Sequence, residues 1–359
     1  MEGYLLTMAE KIKVGIAGYG MSAKVFHIPF ITTMEEYELV TILERREDRS
    51  KEKFPHVKIV RNIDELAADP QTDLIVITTP NDTHFEYAAS ALKAGKHVVL
   101  EKPFANTIEE AMELMEIAKS SGKVFSVYHN RRYVSDFLTI KDLLSKNLLG
   151  DVHEFNANFD RFRPELKSGA WREEPKTGSG ILYDLGPHLI DQALVLFGIP
   201  TSVTADIRAQ RAHARVDDYF NIWMDFGFAK VVLHSGMLIR EPGPRYMVHG
   251  TSGSFIKYGD DPQEARLKEG DLPLGADWGR EPEEFDGLLH TTLNGEMIRK
   301  TIPSLKGNFG YYYKNLYETI VNGAPLQEKP EHGYNTIRII ELAFESSKSR
   351  RTVECTGLF

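Results

Sequence analysis

The sequence predicts an α/β protein: a doubly wound parallel sheet at the N-terminus, then an α+β domain with a large, mostly antiparallel open sheet. Three observations predict it. The first third alternates apolar strand runs with helical stretches over short connections. After about residue 130, strand-like runs follow one another with few helices between them, which favours antiparallel pairing. The length, 359 residues, suits two domains at roughly 150 residues each. The expected units are residues 1–128 and residues 129–359.

Lys13–Ala17 is a short apolar strand, followed by glycines and a helix over Ser22–Thr32. Glu38–Leu43 is a second strand. Asp73–Thr79 is continuous and β-branched, as a strand buried on both faces should be. Phe85–Ala94 reads as a helix closed by Gly95, and Lys96–Leu100 as the next strand. Thr107 caps a helix to Ser121, with Glu110 completing a capping box and Gly122 ending it. Val124–Tyr128 is the last strand of this half. Beyond it, Val152–Phe162, Val203–Arg208, Asn221–Phe226, Lys230–Leu238, Arg245–Gly250 and Gly253–Lys257 are successive strands. Residues 258–308 are rich in Gly, Pro and charge and read as irregular, a long loop. Asn308–Asn322 and Gly333–Lys348 are closing helices.

Composition narrows the function classes. With 42% hydrophobic and 26% charged residues, the chain has enough apolar material for sizeable cores, which excludes global disorder. The net charge of -9 makes it a poor general phosphate binder and argues against nucleic acid as the main partner. The single cysteine, Cys355, makes no internal disulfide, and no His/Asp/Glu spacing looks like a metal site. A cytoplasmic protein is the simplest expectation. No apolar run approaches the ~20 residues of a membrane helix. Met1–Glu10 lacks the basic start and long apolar core of a signal peptide and reads as a short tail.

The segment Val14-Gly-Ile-Ala-Gly18-Tyr-Gly20-Met21-Ser22-Ala23 leaves strand one and opens a helix, fitting G-x-G-x-x-A. The first glycine makes a tight turn, the second admits a pyrophosphate, and the small third residue lets helix and strand pack closely. The helix N-terminus offers free N–H groups to the phosphate. Strand two ends in Glu44-Arg45-Arg46, where a ribose would be read. A carboxylate there favours NAD, and a guanidinium facing a 2′-phosphate favours NADP. Both signals are present.

The chemistry candidates sit at strand ends and on one helix. Lys102, in Glu101-Lys102-Pro103, follows a strand directly; it is either a surface-turn residue or a cation that steadies an alkoxide during hydride transfer. In Asp184-Leu-Gly-Pro187-His188-Leu-Ile-Asp191, Pro187 suits the first turn of a helix that Gly198 ends. Asp184, His188 and Asp191 then share one face. This is either a proton-transfer His with an Asp setting its tautomer or a satisfied structural pair. Thr79-Pro80-Asn81 with His84 ends strand three as turn chemistry, and His84 alone reads as a surface histidine. Arg131, Arg132, Arg161, Arg163 and Arg172 are candidates for salt bridges at the domain junction or for a site, and Trp171 for packing or a pocket wall.

Together these pieces resemble the glucose–fructose oxidoreductase / inositol dehydrogenase (Gfo/Idh/MocA) family over nearly the whole chain. The resemblance rests on Gly18, Gly20 and Ala23, on Thr79-Pro-Asn81 with His84, on Glu101-Lys-Pro103 and on Asp184-Leu-Gly-Pro-His188. Tyr128-His-Asn130-Arg-Arg, Arg161-Phe-Arg-Pro, Trp171-Arg172-Glu and Ser254-Phe-Ile-Lys-Tyr-Gly resemble a subgroup that contains NADP-dependent scyllo-inositol dehydrogenase. The resemblance implies a Rossmann domain, and Lys102, His188 and Asp184 as the catalytic group. It implies a cofactor, NADP with NAD left open, held by Gly18, Gly20, Met21, Ser22, Ala23, Glu44, Arg45, Thr79, Pro80, Asn81, His84, Glu101, Lys102, Asn130, Trp171 and Arg172. It implies a polyol, cyclitol or sugar substrate, with scyllo-inositol/scyllo-inosose as the first reading. It also implies a homodimer or homotetramer built through the second sheet. Glu44 departs from the small residue expected in NADP-specific relatives, whereas Arg45 fits them. A non-catalytic dinucleotide-binding sensor, or an NAD-dependent lyase or glycosidase using transient oxidation, would keep the Gly18 loop. The sensor would not need the Lys102/Asp184/His188 group.

Overall fold

In the computed structural model, residues 11–167, 169 and 171–359 are described, with the backbone alone for Trp171. The expected tail Met1–Glu10 lies outside the described residues.

Six parallel strands form the first sheet: β1 (Ile12–Ala17), β2 (Tyr37–Leu43), β3 (Lys58–Val60), β4 (Leu74–Ile77), β5 (His97–Leu100) and β6 (Phe125–Val127), in the order β3-β2-β1-β4-β5-β6. β4 is buried at every residue, which is what its β-branched run requires. Helices α1 (Ile28–Thr33), α2 (Ile63–Ala67), α3 (His84–Lys93) and α4 (Ile108–Ser121) connect them. α4 starts on Thr107, whose side chain accepts from Glu110 N–H, and ends on Gly122 at φ 64°. The helix expected over Ser22–Thr32 is not a plain α-helix. Ala23–His27 is a π-helical segment, and α1 continues from Ile28.

Nine strands form the second sheet. α5 (Ser135–Ser145) precedes β7 (Val152–Asn158), and α6 (Ile181–Phe197) follows it. Then come β8 (Ser202–Arg208), β9 (Tyr219–Asp225), β10 (Lys230–Gly236), β11 (Tyr246–Gly250), β12 (Gly253–Lys257), α7 (Gln263–Glu269), β13 (Gly287–Leu293) and β14 (Glu296–Ile302). α8 (Gly310–Asn322), α9 (Pro330–Ser349) and β15 (Val353–Glu354) close the chain. The order is β14-β13-β12-β11-β7-β10-β9-β8-β15, antiparallel throughout except for β7 beside β10. Residues 258–308 are therefore not one irregular loop. They hold α7 and the β13–β14 hairpin, whose two-residue turn is Asn294-Gly295, both at positive φ.

The two sheets share one apolar core. α6 and α9 lie between them, so Leu66, Leu92 and Leu114 of the first half join Phe155, Phe220, Leu233 and Phe255 of the second. The other face of the first sheet is covered by α1 and by Tyr312, Tyr313 and Leu316 of α8.

Candidate active site

The parallel strands end in one row. Ala17 pairs with Leu43 and with Ile77, Ile77 with Leu100, and Leu100 with Val127. Gly18, Glu44, Thr78, Glu101 and Tyr128 therefore leave the sheet side by side, where the strand order reverses between β1 and β4. The glycine loop fits a dinucleotide. Gly18 has φ 101°, and a Cβ there would lie 3.2 Å from Thr78 Oγ1. A Cβ on Gly20 would meet no heavy atom within 4 Å, so that glycine keeps the backbone open to a ligand rather than to protein. Ala23 is fully buried against the sheet, and Met21 is exposed.

Two of the expected cofactor residues, His84 and Asn81, brace neighbouring turns. His84 is buried, not a surface histidine: Nδ1 lies 2.8 Å from the Pro103 carbonyl and Nε2 3.0 Å from that of Thr79. Burial holds its pKa below the usual value. It ties the turn after β4 to the turn after β5. Asn81 donates from Nδ2 to the Gly178 carbonyl at 2.9 Å, linking that turn to the start of α6. Thr79 accepts from Thr83 at the hydroxyl, and Pro80 is exposed beside it.

Glu101 and Lys102 follow β5 directly, and the Lys102–Pro103 peptide after them is cis. The Glu101 carboxylate accepts from Ser22 Oγ, from His27 Nε2 at 3.1 Å and from its neighbour's N–H, Lys102 N, at 3.1 Å. Burial pushes its pKa up, but the hydrogen bonds from His27 and Ser22 and the Lys102 charge outweigh it and hold it at about 2. Residues five apart, such as Ser22 and His27, point about 140° apart on an α-helix. The π-helical segment, with its i→i+5 bonding, brings both to one carboxylate. Sequence reasoning missed His27, because a π segment leaves no pattern in the residues.

Lys102 reaches α6. Its Nζ donates to the Asp184 carbonyl at 2.5 Å and lies 3.4 Å from Asp184 Oδ1. α6 begins at Ile181, so Pro187 is interior and not in the first turn. The N-terminus is set by Asp217, which accepts from Leu182 N–H at 2.8 Å, while its carbonyl takes Ile181 N–H. Pro187 has no N–H for the Tyr183 carbonyl one turn back, which loosens the turn that Lys102 enters.

Asp184 does not set the tautomer of His188. Its carboxylate is shared by Lys102, by Arg172 Nε at 3.1 Å and by Arg161 at 3.8 Å. Burial raises its pKa, but these three cations win and hold it below the usual value. Asp191 faces Arg132 instead, in a bidentate pair at 2.8 and 2.6 Å. His188 is buried, with Nδ1 lacking a hydrogen-bond partner. Its pKa is pushed well below the usual value by burial, then by the charges of Lys102, Arg131, His129 and Arg245. Arg131, Arg161 and Arg245 also surround the Phe159 ring, at 4.0–5.6 Å from its centroid. Burial and these cations together favour the neutral form of the His188 imidazole. Asn130 is buried in the turn that follows β6. The Trp171 side chain lies outside what is described, while Arg172 is half exposed.

Glu44, expected at the ribose, has its carboxylate engaged within the protein. Its carboxylate turns away from the strand-end row and accepts from Ser50 N–H at 2.9 Å, from the Ser50 hydroxyl and from Arg49 N–H at 3.2 Å. It caps the turn Arg49–Glu52 and is 5% exposed. Arg45 and Arg46 are exposed and make no ion pair among the described residues.

Among the described residues no three His, Cys, Asp or Glu are arranged to hold a metal, and no helix is long and apolar enough to cross a membrane. Residues 12–129 match the NAD-binding Rossmann fold of an oxidoreductase family, and residues 141–355 match that family's C-terminal alpha/beta domain. The chain is 44% identical to scyllo-inositol 2-dehydrogenase (NADP(+)) IolW of Bacillus subtilis, over 96% of both chains. It is equally identical to the uncharacterized oxidoreductase YdgJ of Escherichia coli, over 96% of this chain and 99% of that one. The crystal structure of YvaA from Bacillus subtilis superposes with a TM-score of 0.94 at 44% identity, covering 97% of this chain and 99% of that one. With its glycine loop, strand-end lysine and two sheets, the chain belongs to the Gfo/Idh/MocA oxidoreductase family.

Proposed function

We propose that this protein is an NADP-dependent dehydrogenase that interconverts a hydroxyl and a ketone on a cyclitol or related polyol, with scyllo-inositol/scyllo-inosose as the first pair. The observation that carries the reading is Lys102 seated on α6 at Asp184, one turn before the buried His188, with Ser22 of the glycine loop bonded to the neighbouring Glu101. The bound nicotinamide supplies the hydride acceptor. When the alcohol is oxidised, its C–H bond yields the hydride and its O–H proton goes to a ring nitrogen of His188. Lys102 faces the same oxygen and stabilises the charge that develops on it. Asp184 holds the Lys102 ammonium in place, and Arg161 and Arg172 keep that carboxylate ionised.

NADP is favoured over NAD by the fate of Glu44. With its carboxylate engaged by Ser50, Glu44 is not offered to a ribose 2′-OH, and the exposed Arg45 and Arg46 remain to meet a 2′-phosphate. The name of the Bacillus relative agrees with this reading.

The test is a fluorescence titration with NADPH and with NADH, followed by a panel of inososes, inositols and aldoses. Tighter binding of NADPH and its oxidation on adding an inosose support the proposal. Tight binding with no turnover on any polyol or sugar rejects the dehydrogenase reading. Arg45→Ala is expected to weaken NADPH roughly tenfold and leave NADH nearly unchanged; equal losses remove Arg45 from the 2′-phosphate.

A further inference from the structure

His27 takes no part in the chemistry above, yet it is completely buried and both ring nitrogens are engaged. Nε2 faces a carboxylate, which only accepts, so Nε2 carries the proton and donates to Glu101. Nδ1 then accepts from the Tyr313 hydroxyl at 2.6 Å. A neutral imidazole satisfies both contacts. Tyr313 is itself fixed. It stacks on Phe30, its carbonyl accepts from Tyr37 Oη at 2.6 Å, and Tyr37 meets its ring edge-on at 5.5 Å. The Tyr128 ring lies 4.3 Å from His27 on the other side.

The far end of this chain is Glu101. Its Oε1 takes both His27 and Ser22, and its Oε2 takes the Lys102 N–H. One carboxylate thus holds a residue of the glycine loop and the main chain of the catalytic lysine.

We infer that His27 is a positioning residue: backed by Tyr313, it holds Glu101 so that the dinucleotide loop at Ser22 and the strand-end Lys102 are kept in one frame. Cofactor binding and lysine placement are then coupled through a group that touches neither cofactor nor substrate. The inference rests on the dinucleotide reading of the Gly18 loop.

The charged and titratable groups facing Glu101 are His27, Lys102, His84, Tyr128 and Tyr313. His27 leads the influences that lower the Glu101 pKa, against burial that raises it. Removing His27 takes away that lowering influence, so the carboxyl takes up a proton more readily as pH falls. A protonated Glu101 accepts poorly from Ser22 and Lys102 together.

The test compares NADPH dissociation constants of the wild type, His27→Phe and His27→Gln between pH 5 and 8. Phe keeps the ring packing and removes both hydrogen bonds. Gln donates to Glu101 and accepts from Tyr313. The ratio of the His27→Phe constant to the wild-type constant is expected to reach about tenfold at pH 5 and to shrink toward pH 8. His27→Gln is expected to stay within about threefold of wild type throughout. A ratio near one, or a fixed loss at every pH that Gln does not relieve, overturns the inference. If His27→Phe does not fold, Tyr313→Phe carries the same test, with a smaller loss of the same pH dependence expected and a flat ratio overturning it. A wild type that binds neither NADPH nor NADH overturns the dinucleotide reading and this inference with it. Wild-type binding with unaffected variants overturns only the role of His27.

Discussion

Lys102 leaves β5 at the carboxyl edge of the sheet and is anchored on α6 by the Asp184 carbonyl at 2.5 Å. Lys102→Met keeps the length and apolar stem and removes the charge. Turnover is expected to fall by about 10²–10³-fold, with NADPH affinity little changed. A steady-state rate within a few-fold of wild type would take Lys102 out of the mechanism. His188 makes a pH prediction. An imidazole that carries a proton cannot act as a base, and burial with Lys102, Arg131 and Arg245 disfavours the protonated form. The folded pKa is lowered, so His188 stays neutral as pH drops through the usual imidazole range. The acid limb of kcat/KM for alcohol oxidation is expected well below the ordinary histidine value of about 6.5. A limb at or above that value would mean that the surrounding cations do not govern this group.

At the scale of elements, α6 delivers the site. It is placed by an unusual start: Gly180 has φ 92°, and a Cβ there would lie 2.0 Å from Asp217 Oδ1. Gly180→Ala is expected to cost about 1–3 kcal/mol in chemical denaturation. It should also lower turnover, because Asp184 rides on the first turn. An unchanged midpoint would show that the Asp217 cap adapts freely. Much of this architecture was legible in the residues. The β-branched run Asp73–Thr79, the Thr107 N-cap and the glycine loop each combine a local pattern with a flanking one, although Glu110 accepts from Asn106 N–H and does not close the expected capping box. The β13–β14 hairpin was legible too, through Asn294-Gly295, but the charge-rich surroundings obscured it. Other features were not legible. The direction of the Glu44 side chain depends on Ser50 in a later turn, and the partners of Asp184 come from Lys102, Arg161 and Arg172 across the fold. Helical spacing placed Asp184 and His188 on one face but carried no information on which groups would face that side.

The whole molecule presents two sheets with different exposures. The first is covered on both faces, whereas the second is covered by α6 and α9 on one. On β9, Phe220, Ile222 and Met224 point into that core, while Trp223 on the opposite face is 51% exposed. A broad half-apolar sheet face of this kind fits a second copy of the chain. Sedimentation of the wild type is expected to give a multiple of 40.7 kDa, and Trp223→Glu the single-chain mass. A wild type that sediments as one chain would reject assembly through this face. The most direct measurement of the proposed chemistry is the loss of NADPH absorbance on adding scyllo-inosose to the wild type and to Lys102→Met, both first shown to bind NADPH. Steady oxidation by the wild type and almost none by the variant are expected. Equal rates from the two proteins, or no oxidation by a wild type that binds NADPH, would contradict that chemistry.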